Sequence, residues 1–126
     1  MTVELCKIVI HKIEDVGEVT LAKHVKATAK SLFGPRITGS KNMQLFYTKF
    51  ETGGETQYHM HECESGLFLI KGKLRLVTDD GEYNVEANAA VFIPPLIGHK
   101  FKNIGKDDAL AISVFSPPEA MYETES

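Results

Sequence analysis

A chain of 126 residues is long enough for one compact domain and too short for two ordinary ones. Apolar residues make up 43% of it and charged residues 25%, so it can build a sizeable core and does not have a disordered composition. A formal net charge of −3, with no long basic run, argues against nucleic acid or an anionic membrane as partner. Lys71, Lys73 and Arg75 alternate over one short stretch, which reads as a solvated strand face. Cys6 and Cys63 do not make a disulfide framework. The apolar run after Lys7 is too short for a signal-peptide core, and no stretch approaches a membrane span, so a soluble cytoplasmic protein is expected.

In chain order, Glu4 to His11 holds Leu5, Ile8, Val9 and Ile10 and predicts a short strand. Thr20 to Phe33 is ambiguous: Leu21, Val25, Thr28 and Leu32 share a helical face, yet Val25, Ala27 and Ala29 alternate as in a strand. Gly34-Pro35 stops either element, and Thr38-Gly39-Ser40 adds a second turn signal. Met43, Leu45 and Tyr47 then alternate with Gln44, Phe46 and Thr48 in a strand that Gly53-Gly54 is expected to close. Further strands are expected over Gln57 to His61, Leu67 to Ile70 and Leu74 to Thr78. Asp79-Asp80-Gly81 turns the last of these back into Tyr83 to Val85, as a hairpin with glycine in its turn. Ala89 to Ile93 leads into Pro94-Pro95, and His99 to Phe101 and Leu110 to Phe115 complete the set. So many short strands at close intervals favour a sandwich or barrel over βαβ units. The Pro- and Glu-rich end is expected to be a loose tail, with Met121 and Tyr122 available to dock on a neighbour.

His59 and His61 are two apart, so on a strand both point to one face. His99 follows a turn stiffened by Pro94 and Pro95. Three imidazoles around one ion suit Fe, Zn, Ni or Cu and leave positions open for water or substrate. A His-x-His pair alone has little specificity, and the bland reading is two surface histidines on a strand edge.

Context adds to the pair. Gly53-Gly54-Glu55-Thr56-Gln57-Tyr58-His59-Met60-His61, with Gly72 beyond it, resembles the first motif of the cupin family. Ile93-Pro94-Pro95-Leu96-Ile97-Gly98-His99-Lys100-Phe101-Lys102-Asn103 resembles the second, in which proline leads to histidine and asparagine follows. The resemblance implies an all-β fold, a double-stranded β-helix or jelly-roll barrel. The expected organisation is a lead-in with one or more strands over residues 1–42, the cupin barrel over 43–116 and a tail over 117–126.

It also implies that His59, His61 and His99 are metal ligands. The family's glutamate falls on Ser65, a poor ligand for a divalent ion. The adjacent Glu64, brought inward by a loop shift or bulge, is the candidate fourth ligand, and Glu62 lies two residues further back. Leu96 and Asn88 stand where the second motif has glycines. Cys63 shares the parity of His61 and could be a soft ligand, although a free cysteine is more often a small buried hydrophobe.

Around these ligands, Gln57, Tyr58 and Glu64 are the candidate catalytic residues. Gln57 should point the same way as His59 and bond a metal-bound water or substrate; Gln44 could equally satisfy a strand face. Phe101, Leu67 and Leu69 are expected to line an apolar wall. Asn103 is expected to fix the turn after its strand, and Arg36 or Lys41 could clamp a carboxylate at the mouth. His11 and His24 receive no role, and His24 is expected to be exposed.

Many activities occupy this barrel. The resemblance implies one divalent transition metal, with Fe(II) favoured and Zn, Mn, Ni or Cu as alternatives. It points first to a non-haem iron dioxygenase with a three-histidine site, acting on a small molecule such as a carboxylate or dicarbonyl. The alternatives are a metal-dependent isomerase or lyase acting on a sugar acid or other carbonyl compound, and a non-catalytic small-molecule-binding cupin. Lewis-acid chemistry needs a base, for which Glu64, Tyr58 and Glu55 are the candidates. A homodimer paired through Leu5 to Ile10 is expected.

Overall fold

The computed structural model describes residues 8–119. Within them a 3-10 turn at Ile13–Asp15 precedes eight strands: β1 His24–Phe33, β2 Gln44–Thr56, β3 Glu64–Lys71, β4 Lys73–Thr78, β5 Gly81–Glu86, β6 Ala90–Ile93, β7 His99–Asn103 and β8 Ala109–Ser116. All the strand pairs are antiparallel, in the order β5-β4-β7-β2-β8-β3-β6, with β1 also on β2. The all-β jelly-roll expectation is met. The expected first strand is not: Leu5 and Cys6 lie outside the described residues, and Ile8 and Ile10 carry no regular structure and are exposed.

Strand β2 joins the two halves of the barrel. Its first part, Gln44 to Phe50, pairs with β8, and Glu55 pairs with Lys102 of β7. Gly53-Gly54 therefore does not close the strand. Instead β2 bulges against β1 between the Val25–Glu55 and Ala27–Phe50 pairs, re-aiming the chain from one half to the other. A Cβ on Gly54 would meet the carbonyl oxygen of Lys26 at 2.3 Å, so only glycine lets the two backbones approach this closely. Asn103 holds the same bend from inside. Its Nδ2 donates to the carbonyls of Phe50 (3.0 Å) and Glu51 (3.2 Å) and to that of Asp107 (2.9 Å), while its Oδ1 accepts from the Gly105 amide at 2.8 Å. It fixes the turn after β7, as expected, and the β2 bulge as well.

Alternation along the strands builds the core between the halves. Leu67, Leu69 and Ile93 on one side meet Leu74, Leu76, Val85 and Phe101 on the other. A second cluster of Leu21, Ala29, Phe46, Cys63 and Phe115 fills the opposite end. On β2 the inward face is Gln44, Phe46, Thr48 and Phe50, half of it polar. The candidate site lies where the two clusters meet.

Candidate metal centre

His59 and His61 do not sit on a strand. After Thr56 the chain leaves the sheet, and His59 makes one isolated antiparallel bridge to His99, the first residue of β7. The Leu96 amide donates to the His61 carbonyl at 2.7 Å, extending the clamp by one contact. The alternation expected of a strand survives without the strand: His59 and His61 are buried, while Tyr58 and Met60 are 46% and 53% exposed. Gly98 permits this packing, since a Cβ there would meet the Tyr58 hydroxyl at 2.6 Å.

The three rings converge. His59 Nε2 and His61 Nε2 are 3.1 Å apart, and the ring centroids are separated by 4.6, 4.8 and 5.3 Å. One ligand-capable nitrogen from each ring lies within 4.8 Å of the others, the one such group among the described residues. His59 Nδ1 donates to the Gln57 carbonyl, and His99 Nδ1 donates to that of Ile97 at 2.8 Å. When neutral, both rings therefore carry their lone pair on Nε2. Nitrogens about 2.1 Å from a shared ion stand roughly 3 Å apart, so the His59–His61 spacing is that of a ligand pair. The residues fit one divalent ion.

Burial sets the charge state. It pushes His59 down to about 4, against the raising effect of the Gln57 carbonyl, and His61 down to about 3, with the neighbouring imidazoles adding to the effect. Burial lowers His99 as well, opposed by the Ile97 carbonyl. At neutral pH all three are uncharged, the form a metal requires. Phe115 packs edge-on to His61 at 5.0 Å and Phe101 lies 6.0 Å from His99, which keeps the surroundings apolar.

A narrow cleft, open to solvent on one side, lies over these rings. Phe101 and Leu67 line it as expected, whereas Leu69 is in the core beneath. The other sequence candidates are placed differently. Glu64 is exposed, because strand parity turns Ser65 inward and its neighbour outward, so the expected fourth ligand is outside the cluster. The Gln57 side chain is exposed, and the residue contributes its carbonyl instead. Tyr58 donates to Asp79 on the outer surface. Glu55 is paired with Lys100 at 2.8 Å, which lowers its pKa. Arg36 and Lys41 are exposed, and neither lines the cleft. Cys63 is buried at 4% exposure, and its thiol is pushed up to about 12 by burial and then by Glu119; it is not in the ligand group.

Sequence reasoning missed two residues. His24, expected to be exposed, is half-buried and lines the cleft, brought there by the pairing of β1 with Thr56 at the end of β2. Glu119, in the supposedly loose tail, reaches the back of His61 at 3.7 Å. No local pattern marks either residue; both depend on contacts between distant segments. No helix among the described residues is long and apolar enough to cross a membrane.

Comparison with known proteins agrees with this geometry. Auxin-binding protein 1 of Arabidopsis thaliana is 30% identical over 94 residues, which span 68% of this chain and 48% of that protein, so the match covers about half of the relative's length. The polyketide synthase CurC of Streptomyces cyaneus is 22% identical over 107 residues, covering 84% of this chain and 70% of that one. The structure of the polyketide cyclase RemF from Streptomyces resistomycificus shares the fold, with a TM-score of 0.79 at 21% identity, over 90% of this chain and 82% of that one. The cupin-domain family model matches residues 46–115, from the first core phenylalanine of β2 to Phe115 behind His61, and on that match the chain belongs to the cupin family.

Proposed function

We propose that the protein is a metal-dependent enzyme acting on a small, enolisable carbonyl compound. The observation that carries this reading is the convergence of three buried imidazoles, His59, His61 and His99, beneath a cleft that a fourth imidazole, His24, also lines. A divalent ion held by the three rings supplies Lewis-acid polarisation of a carbonyl or, if it is iron, activation of O₂. His24 Nδ1 donates to the Ala22 carbonyl at 2.9 Å, which leaves Nε2 as the acceptor, and burial lowers its pKa so that the ring is neutral. It is the group on the cleft wall suited to take a proton from carbon beside a carbonyl, the role for which Glu64, Tyr58 and Glu55 are badly placed. Phe101, Phe115 and Leu67 exclude water around that transfer. Two of the relatives carry polyketide in their names, a class rich in enolisable carbonyls, which supports the substrate class.

A second reading, a three-histidine iron dioxygenase, is favoured by the absence, among the described residues, of a carboxylate from the ligand group, since Ser65 stands at the glutamate position. Three neutral ligands leave a more positive centre, suited to an anionic dicarbonyl. Apoprotein reloaded with Zn, Mn or Fe and supplied with dicarbonyl substrates, with and without O₂, separates the readings. The proposal expects anaerobic conversion that His24→Gln abolishes while the ion stays bound. Conversion that requires iron and consumes O₂ supports the dioxygenase. Tight binding without conversion removes both in favour of a binding protein.

A further inference from the structure

We propose that Glu119 is a positioning residue of the metal centre: its carboxylate, set behind His61, orients that ring and supplies the negative charge that Ser65 omits. The inference rests on the metal-centre reading above and concerns a residue outside both cupin motifs.

The three ligand rings are not held alike. His59 and His99 each donate Nδ1–H to the carbonyl of the residue two positions back, Gln57 and Ile97. For His61 the corresponding carbonyl belongs to His59, and it already accepts the His99 amide at 2.9 Å. What stands behind this ring is a carboxylate, at an electrostatic rather than a hydrogen-bonding distance. Glu119 Oε1 lies 3.7 Å from His61 Nδ1, with the two side chains only 16% and 4% exposed. At this distance the carboxylate acts through its field: it favours the proton on Nδ1 and raises the basicity of Nε2 toward the ion, and a small shift on metal binding would close the hydrogen bond.

Glu119 is itself held in place. Its amide donates to Gln44 Oε1 at 2.9 Å, and Gln44 Nε2 reaches its carbonyl at 3.5 Å. Gln44 is fully buried, an expensive place for an amide unless its groups are used. The Cys63 thiol donates to the same Oε1 at 3.1 Å. Two buried side chains from separate segments thus aim one carboxylate at one ligand ring. The centre regains, one ring removed, the charge that a glutamate at position 65 would have placed directly on the ion.

The test is titration of Co(II) into the full-length apoprotein at pH 7.5 against a competing chelator, with the visible spectrum recorded. Glu119→Gln is expected to bind one cobalt per chain about 10- to 100-fold more weakly than wild type, with a shifted spectrum and an unchanged melting temperature for the apoprotein. Glu64→Gln removes an exposed carboxylate nearby and should change nothing. If Glu119→Gln does not fold, Glu119→Asp, which withdraws the carboxylate by one methylene, is expected to weaken binding in the same direction. Wild type and Glu119→Gln, or the Asp variant in its place, with equal affinity and identical spectra would overturn this inference alone. Wild type that takes up no cobalt would overturn the metal centre and the inference with it.

Discussion

His59 and His99 are each other's backbone partners: the His59 amide donates to the His99 carbonyl at 3.0 Å and the His99 amide to the His59 carbonyl at 2.9 Å. Two ligands from distant parts of the chain are thereby locked together by main chain, independent of their side chains. Replacing one ring should consequently remove the ion and leave the fold. His59→Ala, His61→Ala and His99→Ala are each expected to lose stoichiometric metal in elemental analysis while keeping the β circular-dichroism spectrum. Wild type should be stabilised by metal, by about 2.7 kcal/mol at a free concentration 100 times the dissociation constant, and a chelator should reverse this. Equal melting temperatures with and without added ions would contradict the site.

The depressed imidazoles also make the apoprotein acid-sensitive. His59 and His61 fall to about 4 and about 3, and His99 is lowered too, whereas an unfolded histidine titrates near 6.5. Above about 6.5 neither state binds the proton, and the rings add no pH dependence. As pH falls from there toward about 4, the unfolded chain takes up protons that the folded rings refuse, so stability falls. The loss is on the order of 1.4 kcal/mol per unit of depression for each ring, and it levels off once the folded rings charge as well. Urea midpoints of chelator-treated protein should drop between pH 7 and 5, with a shallower slope in His61→Phe. A flat profile would show that the rings are not buried.

Much of this arrangement is legible in sequence, and the exceptions share one cause. Strands β3 to β8 could be read because their apolar alternation is bounded by glycine and turn residues, and the His-x-His parity holds even though the expected Gln57 to His61 strand is a loop. β1 was undecidable locally, since Leu21, Val25, Thr28 and Leu32 also fit a helix; pairing with β2 settles it by burying Ala27 and Ala29. Gly53-Gly54 read as a stop because glycine marks turns and bulges equally. His24 and Glu119 gave no signal, because what places them is the Thr56 pairing in one case and the Gln44 amide in the other. Each exception is a non-local contact that leaves no periodicity in the residue's own segment.

Ser65 offers a gain-of-function test. It is 7% exposed, turned into the cleft, and paired across the sheet with Ile93 and Phe115. Ser65→Glu is expected to place a carboxylate beside the three rings. Metal should then bind about tenfold more tightly, a gain of about 1.4 kcal/mol. The apoprotein should be destabilised by a few kcal/mol, because the new charge has no buried counterion until metal arrives. Opposite shifts of the apo and metal-loaded melting temperatures are the diagnostic result. Parallel shifts would mean that the glutamate points away from the centre.

Asn103 links the stability of the fold to the position of the ligands. Its amide satisfies the carbonyls of Phe50, Glu51 and Asp107, and so pins the β2 bulge that carries the chain toward Thr56 and His59. The residue is 2% exposed, so water cannot easily replace those bonds. Asn103→Leu keeps the approximate volume and removes every donor. Leaving buried carbonyls unsatisfied costs about 1–3 kcal/mol each, tempered by relaxation, so a total loss of roughly 3 kcal/mol is expected in urea unfolding. Because β7 begins at His99 and ends at Asn103, the same variant should also weaken cobalt binding, and by less than loss of a ligand ring. A variant as stable as wild type would show that the bulge is held by the sheet alone, whereas lost stability with intact metal affinity would uncouple the bend from the centre.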